Sequence, residues 1–231
     1  MLIIAEIGQN HNGDMKIARR LISAAREKGA DIAKFQLYDV DAIFPPDFQW
    51  YREARKAQLN REQVEELADC CRQVGIEFMA SVFDLERFAW TESLDMKRYK
   101  IASRSIRQSE LIEAIAATGK DMIVALGMWD KPEFPVIWTH GRVDFLYCVS
   151  KYPTLPEDLH FPDRFDRYSG FSDHTIGIEA AREAVDLGAR IIEKHFTLDK
   201  SMHGPDHSGS MVPEELRQIV AFARKFEGIL H

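Results

Sequence analysis

Residues 186–196 read DLGARIIEKHF. A polar-apolar helical pattern runs into Gly188, and glycine just past a helix supplies the left-handed residue that terminates it. The run that follows, Arg190 to Phe196, is β-rich and mostly non-alternating, as a parallel strand covered on both faces requires. The same punctuation recurs upstream. EKG at Gly29, QVG at Gly75 and ATG at Gly119 each lead into such a run, namely DIAKFQL (31–37), IEFMAS (76–81) and DMIVALG (121–127). Gly29, Gly75 and Gly119 are evenly spaced, at about one strand–helix unit plus a long loop.

Further strands are predicted at LIIAEIG (2–8), RYKIAS (98–103), VDFLYCVS (143–150) and, more weakly, RYSGFS (167–172). Asp14 is placed to cap a helix whose Ala18, Leu21, Ile22 and Ala25 share one face, and Asn60 with Gln63 resembles a capping box. Helices are also expected from about 176 to 187 and 213 to 227. Eight strands with intervening helices give an α/β fold, a (β/α)8 TIM barrel forming a single domain over residues 1–231, with an open doubly wound sheet as the alternative. Two units have shortened helices: DKPEFPVIWTHG (130–141) holds two prolines, and 153–166 is proline-rich.

Composition narrows the function. The chain has 231 residues, 45% hydrophobic and 29% charged, with net charge −7. No apolar run approaches the ~20 residues of a membrane span, and no basic block marks a nucleic-acid surface. Cys70, Cys71 and Cys148 form neither a disulfide framework nor a CxxC pair, which points to a reducing cytoplasm.

In such barrels chemistry gathers at the C-terminal strand ends. There the sequence places Glu6; Lys34 and Gln36; Ser81; Lys100 and Ser103; Ser150 and Tyr152; Ser172, Asp173 and His174; Glu193 and His195. Lys34 and Gln36 share one strand face, as do Glu193 and His195. A strand lysine is costly unless it is paired, faces a ligand or sits at a frayed end. Two histidines after neighbouring strands serve either as structural side chains or as metal ligands, and Asp173 is a possible orienting partner for one of them. Trp50, Trp90, Trp129 and Trp138 read as core or loop cover. Two lysines, several serines and two histidines at one mouth suit a phosphorylated substrate with a divalent metal. The reaction type does not follow from that.

The stretches AEIGQNHNGD (5–14), AKFQ (33–36), KIAS (100–103), CVSKYPT (148–154), GFSDHTIG (170–177) and EKHFTLDKSMHGPDH (193–207) resemble, in order, the N-acetylneuraminate (sialic acid) synthase family. The resemblance implies condensation of phosphoenolpyruvate with an N-acetylated, N-acetylmannosamine-like aldose, giving a nonulosonic acid and phosphate. It implies that His174 and His195 hold a divalent cation, Mn2+ before Mg2+ or Co2+. By the same likeness Lys34 and Lys100 clamp phosphoenolpyruvate, Ser81, Ser103, Ser150 and Ser172 donate to it, and Glu6 faces the reacting carbons. Gln36, Tyr152 and Asp206 hold sugar hydroxyls, while His203 and His207 are left unassigned.

The departures are specific. Where the family carries an acidic sugar contact two residues beyond the KIAS serine, this chain has Ser105, and Ala125-Leu126 replaces a Ser-Thr pair. The family's bottom hairpin and its C-terminal antifreeze-like domain are not among these residues, which leaves three expectations: a separate antifreeze-like protein, an acceptor without the N-acetyl contact, or a sequence cut at the domain boundary. Family analogy alone implies a homodimer. A metal-dependent aldolase or lyase on a related sugar acid, and a non-catalytic sugar-binding barrel, are the competing readings.

Overall fold

The computed structural model describes residues 1–227. Eight parallel strands close into a barrel in chain order: β1 (Leu2–Gly8), β2 (Ile32–Leu37), β3 (Glu77–Val82), β4 (Arg98–Ile101), β5 (Asp121–Ala125), β6 (Val143–Cys148), β7 (Gly170–Asp173) and β8 (Ile191–His195). β1 pairs with β8, which removes the sheet edges and excludes the open-sheet alternative.

Helices α1 (Met15–Glu27), α2 (Val40–Ile43), α3 (Tyr51–Ala57), α4 (Arg61–Val74), α5 (Leu85–Glu92), α6 (Ser109–Ala117), α7 (Glu179–Asp186) and α8 (Pro213–Glu227) accompany the barrel. Their ends obey local chemistry. Asp14 accepts the Lys16 and Ile17 amides at the start of α1, and Asn60 and Gln63 form the reciprocal capping box of α4. Such a cap contributes ~1 kcal/mol. Gly75 ends α4 at φ 79°, a left-handed conformation that costs glycine nothing.

Strand alternation sorts the side chains into two cores. Ile3, Ala5, Ala33, Phe35, Phe78, Ala80, Tyr99, Val124 and Ile192 face the helices in the main hydrophobic cluster. Ile4, Ile32, Met79, Ile123, Leu146 and Ile191 point inward and fill the barrel as a separate cluster. The inner residues two positions further along each strand therefore stand one layer higher, on an apolar floor.

The two proline-rich connections carry no α-helix. Between β5 and β7, aromatic packing does the covering: Phe134 lies 4.9 Å from both Phe145 and Tyr168, and Phe161 stands edge-on to Phe171 at 4.9 Å. Trp138 is not cover, since it is 89% exposed. Among the described residues no helix is long and apolar enough to cross a membrane.

Candidate active site

The register decides which polar residues meet. Glu6 is opposite Lys34 on one side and His195 on the other, Ser81 is opposite Lys100, and Ser172 is opposite Glu193. All of them sit at or just above the apolar floor, at the C-terminal ends of their strands.

Four charged groups lock together there. Lys34 Nζ lies 2.7 Å from Glu6 Oε2 and 3.5 Å from Glu193 Oε2, and donates to Ser81 Oγ at 3.1 Å. Lys100 Nζ lies 3.2 Å from Glu193 Oε1, which also accepts from Ser172 Oγ at 2.8 Å. Gln36 Nε2 donates to Glu6 Oε1 at 2.8 Å, so Gln36 braces the carboxylate as well as lining the cavity. Burial works to raise Glu193, but the Lys100 and Lys34 ammonium groups outweigh it and hold the carboxyl well below its usual range. Burial pulls Lys34 down, and Glu193 and Glu6 together more than reverse that. Lys100, with a weaker share of the carboxylates and Lys34 nearby, stays lowered by its burial. The two lysines are thus unequal, and Lys100 is the one whose charge has least support.

The histidines stand beside this cluster, ring centroids 5.9 Å apart. His174 Nδ1 lies 2.8 Å from the Val149 carbonyl, which only accepts, so that nitrogen carries the hydrogen and Nε2 keeps a lone pair. The Tyr152 hydroxyl meets Nε2 at 3.0 Å, its ring packed on the imidazole at 4.1 Å. His195 Nδ1 is buried without a partner. Burial holds His195 below the ordinary histidine range against the pull of Asp206 and Glu6, which favours the neutral, ligating form. On His174 burial is outweighed by Cys148 and the Val149 carbonyl, which raise it. Among the described residues no group of three or more His, Cys, Asp or Glu is arranged to hold a metal ion. An ion at this place would have two protein nitrogens and several positions open to substrate or solvent.

On the β5–β6 side, Gly127 N–H donates to Ser103 Oγ at 3.1 Å. A Cβ on Gly127 would meet Ser150 Oγ at 2.5 Å and Cys148 Sγ at 2.9 Å, so only glycine leaves room for this group. Ser150 Oγ is buried and unpartnered. The whole arrangement lines one cavity of about 470 Å³, within the range of small-molecule sites.

All of the sequence-named residues border that cavity: Glu6, Lys34, Gln36, Ser81, Lys100, Ser103, Ser150, Tyr152, Ser172, His174, His195 and Asp206. Several others border it to which the sequence reading gave no role. Glu193 and Cys148 lie in the polar floor, and Phe44, Phe48, Trp50 and Arg104 form an outer wall. The Glu-x-His spacing was the one sequence signal for Glu193, since both residues share a strand face.

Two expectations change. Asp173 does not orient a histidine. It pairs with Lys194 at 2.9 Å and accepts from the Thr175 amide and hydroxyl, because both Asp173 and Lys194 fall on the outward alternation of their strands. Trp50 lines the cavity rather than covering core, with the His203 ring tilted against it at 5.3 Å. His207 gains a positioning role: it is fully buried and tied to Thr197 Oγ1 at 2.7 Å and Asn12 Oδ1 at 3.2 Å, which anchors the loop bearing Asp206 to the β1–α1 loop.

A model described as the NeuB family matches residues 21–231. The chain belongs to the NeuB family. Among curated relatives, N,N'-diacetyllegionaminic acid synthase of Legionella pneumophila is 35% identical over 258 residues, covering 99% of this chain and 72% of that protein. N-acetylneuraminate-9-phosphate synthase of Homo sapiens is 34% identical over 256 residues, covering 99% of this chain and 70% of the relative. The crystal structure of the N-acetylneuraminic acid (sialic acid) synthetase from Leptospira borgpetersenii serovar Hardjo-bovis, in complex with citrate, superposes with a TM-score of 0.87 at 31% identity over 99% of this chain and 84% of that one. The (β/α)8 barrel of this NeuB family protein is therefore shared with a solved relative.

Proposed function

We propose that this NeuB family enzyme condenses phosphoenolpyruvate with an N-acetylated aldose, forming a nonulosonic acid and releasing phosphate. The observation that carries the reading is the meeting, in one cavity, of the Lys34–Glu6–Glu193–Lys100 cluster and the His174–His195 pair. Two ammonium groups under a rim of serines suit a phosphate and a carboxylate on one small molecule. Two imidazoles beside them, one whose Nε2 lone pair meets only the Tyr152 hydroxyl and one with an orphaned nitrogen, suit a divalent cation with open positions, Mn2+ being the first choice and Mg2+ or Co2+ the others.

When bound, the cation polarises the aldehyde carbonyl as a Lewis acid. The chain's own groups do the rest. Lys34 and Lys100 hold the phosphate and carboxylate of phosphoenolpyruvate, with Ser81, Ser103, Ser150 and Ser172 as hydrogen-bond donors. The methylene carbon then attacks the aldehyde carbon, a new carbon–carbon bond forms, and the aldehyde oxygen gains a proton. Positive charge develops at the carbon bearing the phosphate, where the Glu6 and Glu193 carboxylates stabilise it. Water adds to that carbon and gives up its protons, with the Glu6 carboxylate at the cavity floor to receive one. The carbon–oxygen bond to phosphate breaks, and phosphate leaves with the electron pair. Gln36, Tyr152 and Asp206 orient the sugar.

A cytoplasmic location fits a soluble substrate of this kind. Met128 and Tyr152 are exposed and border the cavity, where a homodimer mate or a separate antifreeze-like domain would cover the sugar. The test is phosphate release from phosphoenolpyruvate with Mn2+ over a panel of acetamido aldoses, with chelator and no-sugar controls. Release that needs both metal and one sugar supports the synthase; carbon–carbon cleavage of a sugar acid without phosphate supports a lyase instead. His174→Ala should weaken Mn2+ binding, read by electron paramagnetic resonance, at least ~10–100-fold; unchanged binding would remove His174 from the metal site.

A further inference from the structure

The outer wall of the cavity holds a charge that the cluster beneath it does not balance. Lys34 and Lys100 are matched inside the protein by Glu6 and Glu193. Arg104, in the turn after β4, lines the same cavity without such a match. Its Nη2 donates to the Ile43 carbonyl at 3.1 Å, and its guanidinium lies 5.3 Å from the Phe44 ring centroid and 5.9 Å from that of Phe83. Among the described residues no carboxylate lies within ion-pair reach of it. Other arginines of this region differ: Arg107 pairs with Asp130 at 2.7 Å, and Arg98 with Glu77 at 2.8 Å.

The neighbouring residue strengthens the contrast. Ser105, next in the chain, offers no charge of its own to the site. It is fully buried, its hydroxyl has no partner, and it does not line the cavity. The cavity wall at this turn is therefore formed by the guanidinium fork of Arg104 and not by Ser105. Two aromatic rings and one carbonyl hold that fork in place. An arginine carries five N–H donors in a planar array suited to phosphate or carboxylate oxygens. Held in advance between rings, it loses little entropy on binding them.

We propose that Arg104 selects an acceptor aldose bearing an anionic group, a phosphate ester or a carboxylate, at the end remote from its aldehyde. The inference rests on the synthase reading of the site and adds the class of acceptor to it. The aldehyde end belongs near His174 and His195, the remote end at the wall of Phe44, Phe48 and Arg104. A neutral acceptor leaves the guanidinium facing water, whereas an anionic one gives it a paired, partly desolvated partner.

The experiment measures kcat/KM for phosphate release with three acceptors: N-acetylmannosamine, its 6-phosphate, and N-acetylmannosaminuronic acid. One or both charged acceptors should exceed the neutral one about tenfold or more, as a hydrogen bond to a charged group typically provides. Which of the two leads separates a phosphate from a carboxylate. Arg104→Ala should collapse the charged-to-neutral ratio, and Arg104→Lys, which keeps the charge without the fork, should retain part of it. Preference for the neutral sugar, an equal loss with all three acceptors, or a rise in KM confined to phosphoenolpyruvate would overturn the assignment. If no acceptor supports phosphate release, the synthase reading fails. Calorimetric binding of the same three sugars to the wild type and Arg104→Ala then decides the arginine's role. Selective binding of the charged sugars that is lost in the variant upholds it, and indifferent binding overturns it.

Discussion

Glu193 and Lys194 are adjacent on β8, both buried, and each is part of a lysine–carboxylate pairing, yet the two pairings are built differently. Lys194 points outward from the barrel. Its ammonium is closed off by Asp173 at 2.9 Å and the Thr175 carbonyl at 2.6 Å, and Asp173 is filled in turn by Thr175. Glu193 points inward, shared between Lys34 and Lys100 beneath an open cavity. The outer pair is saturated by its own protein. The inner cluster has lysines whose partners an incoming anion can replace. Burial and charge are the same in both places. What separates structure from function is the face of the strand and how completely each ammonium is already satisfied by its own protein.

The largest effect should come from opening the outer pair. Asp173→Ala leaves the Lys194 ammonium buried without a carboxylate, and the expected loss of stability is about 3–5 kcal/mol in urea unfolding. Replacing Asp173 and Lys194 together by apolar residues of similar volume should recover most of it. A loss below about 1 kcal/mol for the single change would mean that the pair is not closed as described.

A third kind of buried ionisable group sharpens the contrast. His11 is fully buried, accepts from the Gly13 amide, and has no carboxylate partner. Its burial pushes it from 6.5 to about 4. As pH falls below 6.5 the unfolded chain takes up a proton that the folded imidazole refuses, so the unfolded state gains. Stability should be full above pH 6.5 and decline by roughly 3 kcal/mol as pH approaches 4. Denaturant melts across this range check it, and His11→Gln should flatten that part of the profile; an unaltered slope would assign it to other groups.

Removal of Lys100 should have the smallest energetic effect and fall on binding. Glu193 would keep Lys34 and Ser172, so the fold retains a partner for every buried carboxylate. Lys100→Ala is expected to weaken phosphoenolpyruvate binding by about 1.5–3 kcal/mol, read by calorimetry, with less effect on sugar binding. If Lys100→Ala instead lowered stability as much as Asp173→Ala, the inner cluster would be as structural as the outer one.

Much of this was legible in the sequence. Helix-ending glycines followed by β-rich runs gave away the alternating units, and local caps such as Asp14 and Asn60 behave as their side chains require. The inward set at the strand ends was also readable, because Lys34-x-Gln36 and Glu193-x-His195 lie on one face by strand geometry alone. Less was readable in the loops. The role of Tyr152 against His174, of His207 beneath the Asp206 loop, and of Arg104 between Phe44 and Phe83 depends on contacts between segments far apart in the chain.

The sequence by itself determined the alternating strand–helix units and the depth at which each strand turns from apolar to polar, and its ordered motifs carried the family resemblance. The first two follow from short-range periods and local backbone preferences. Only the closed barrel decided that Glu193 lies between two lysines, that Asp173 belongs to Lys194, and that Arg104 faces the cavity without a carboxylate. Those outcomes depend on register between neighbouring strands and on loop packing, where a shift of one residue would send every side chain to the opposite face.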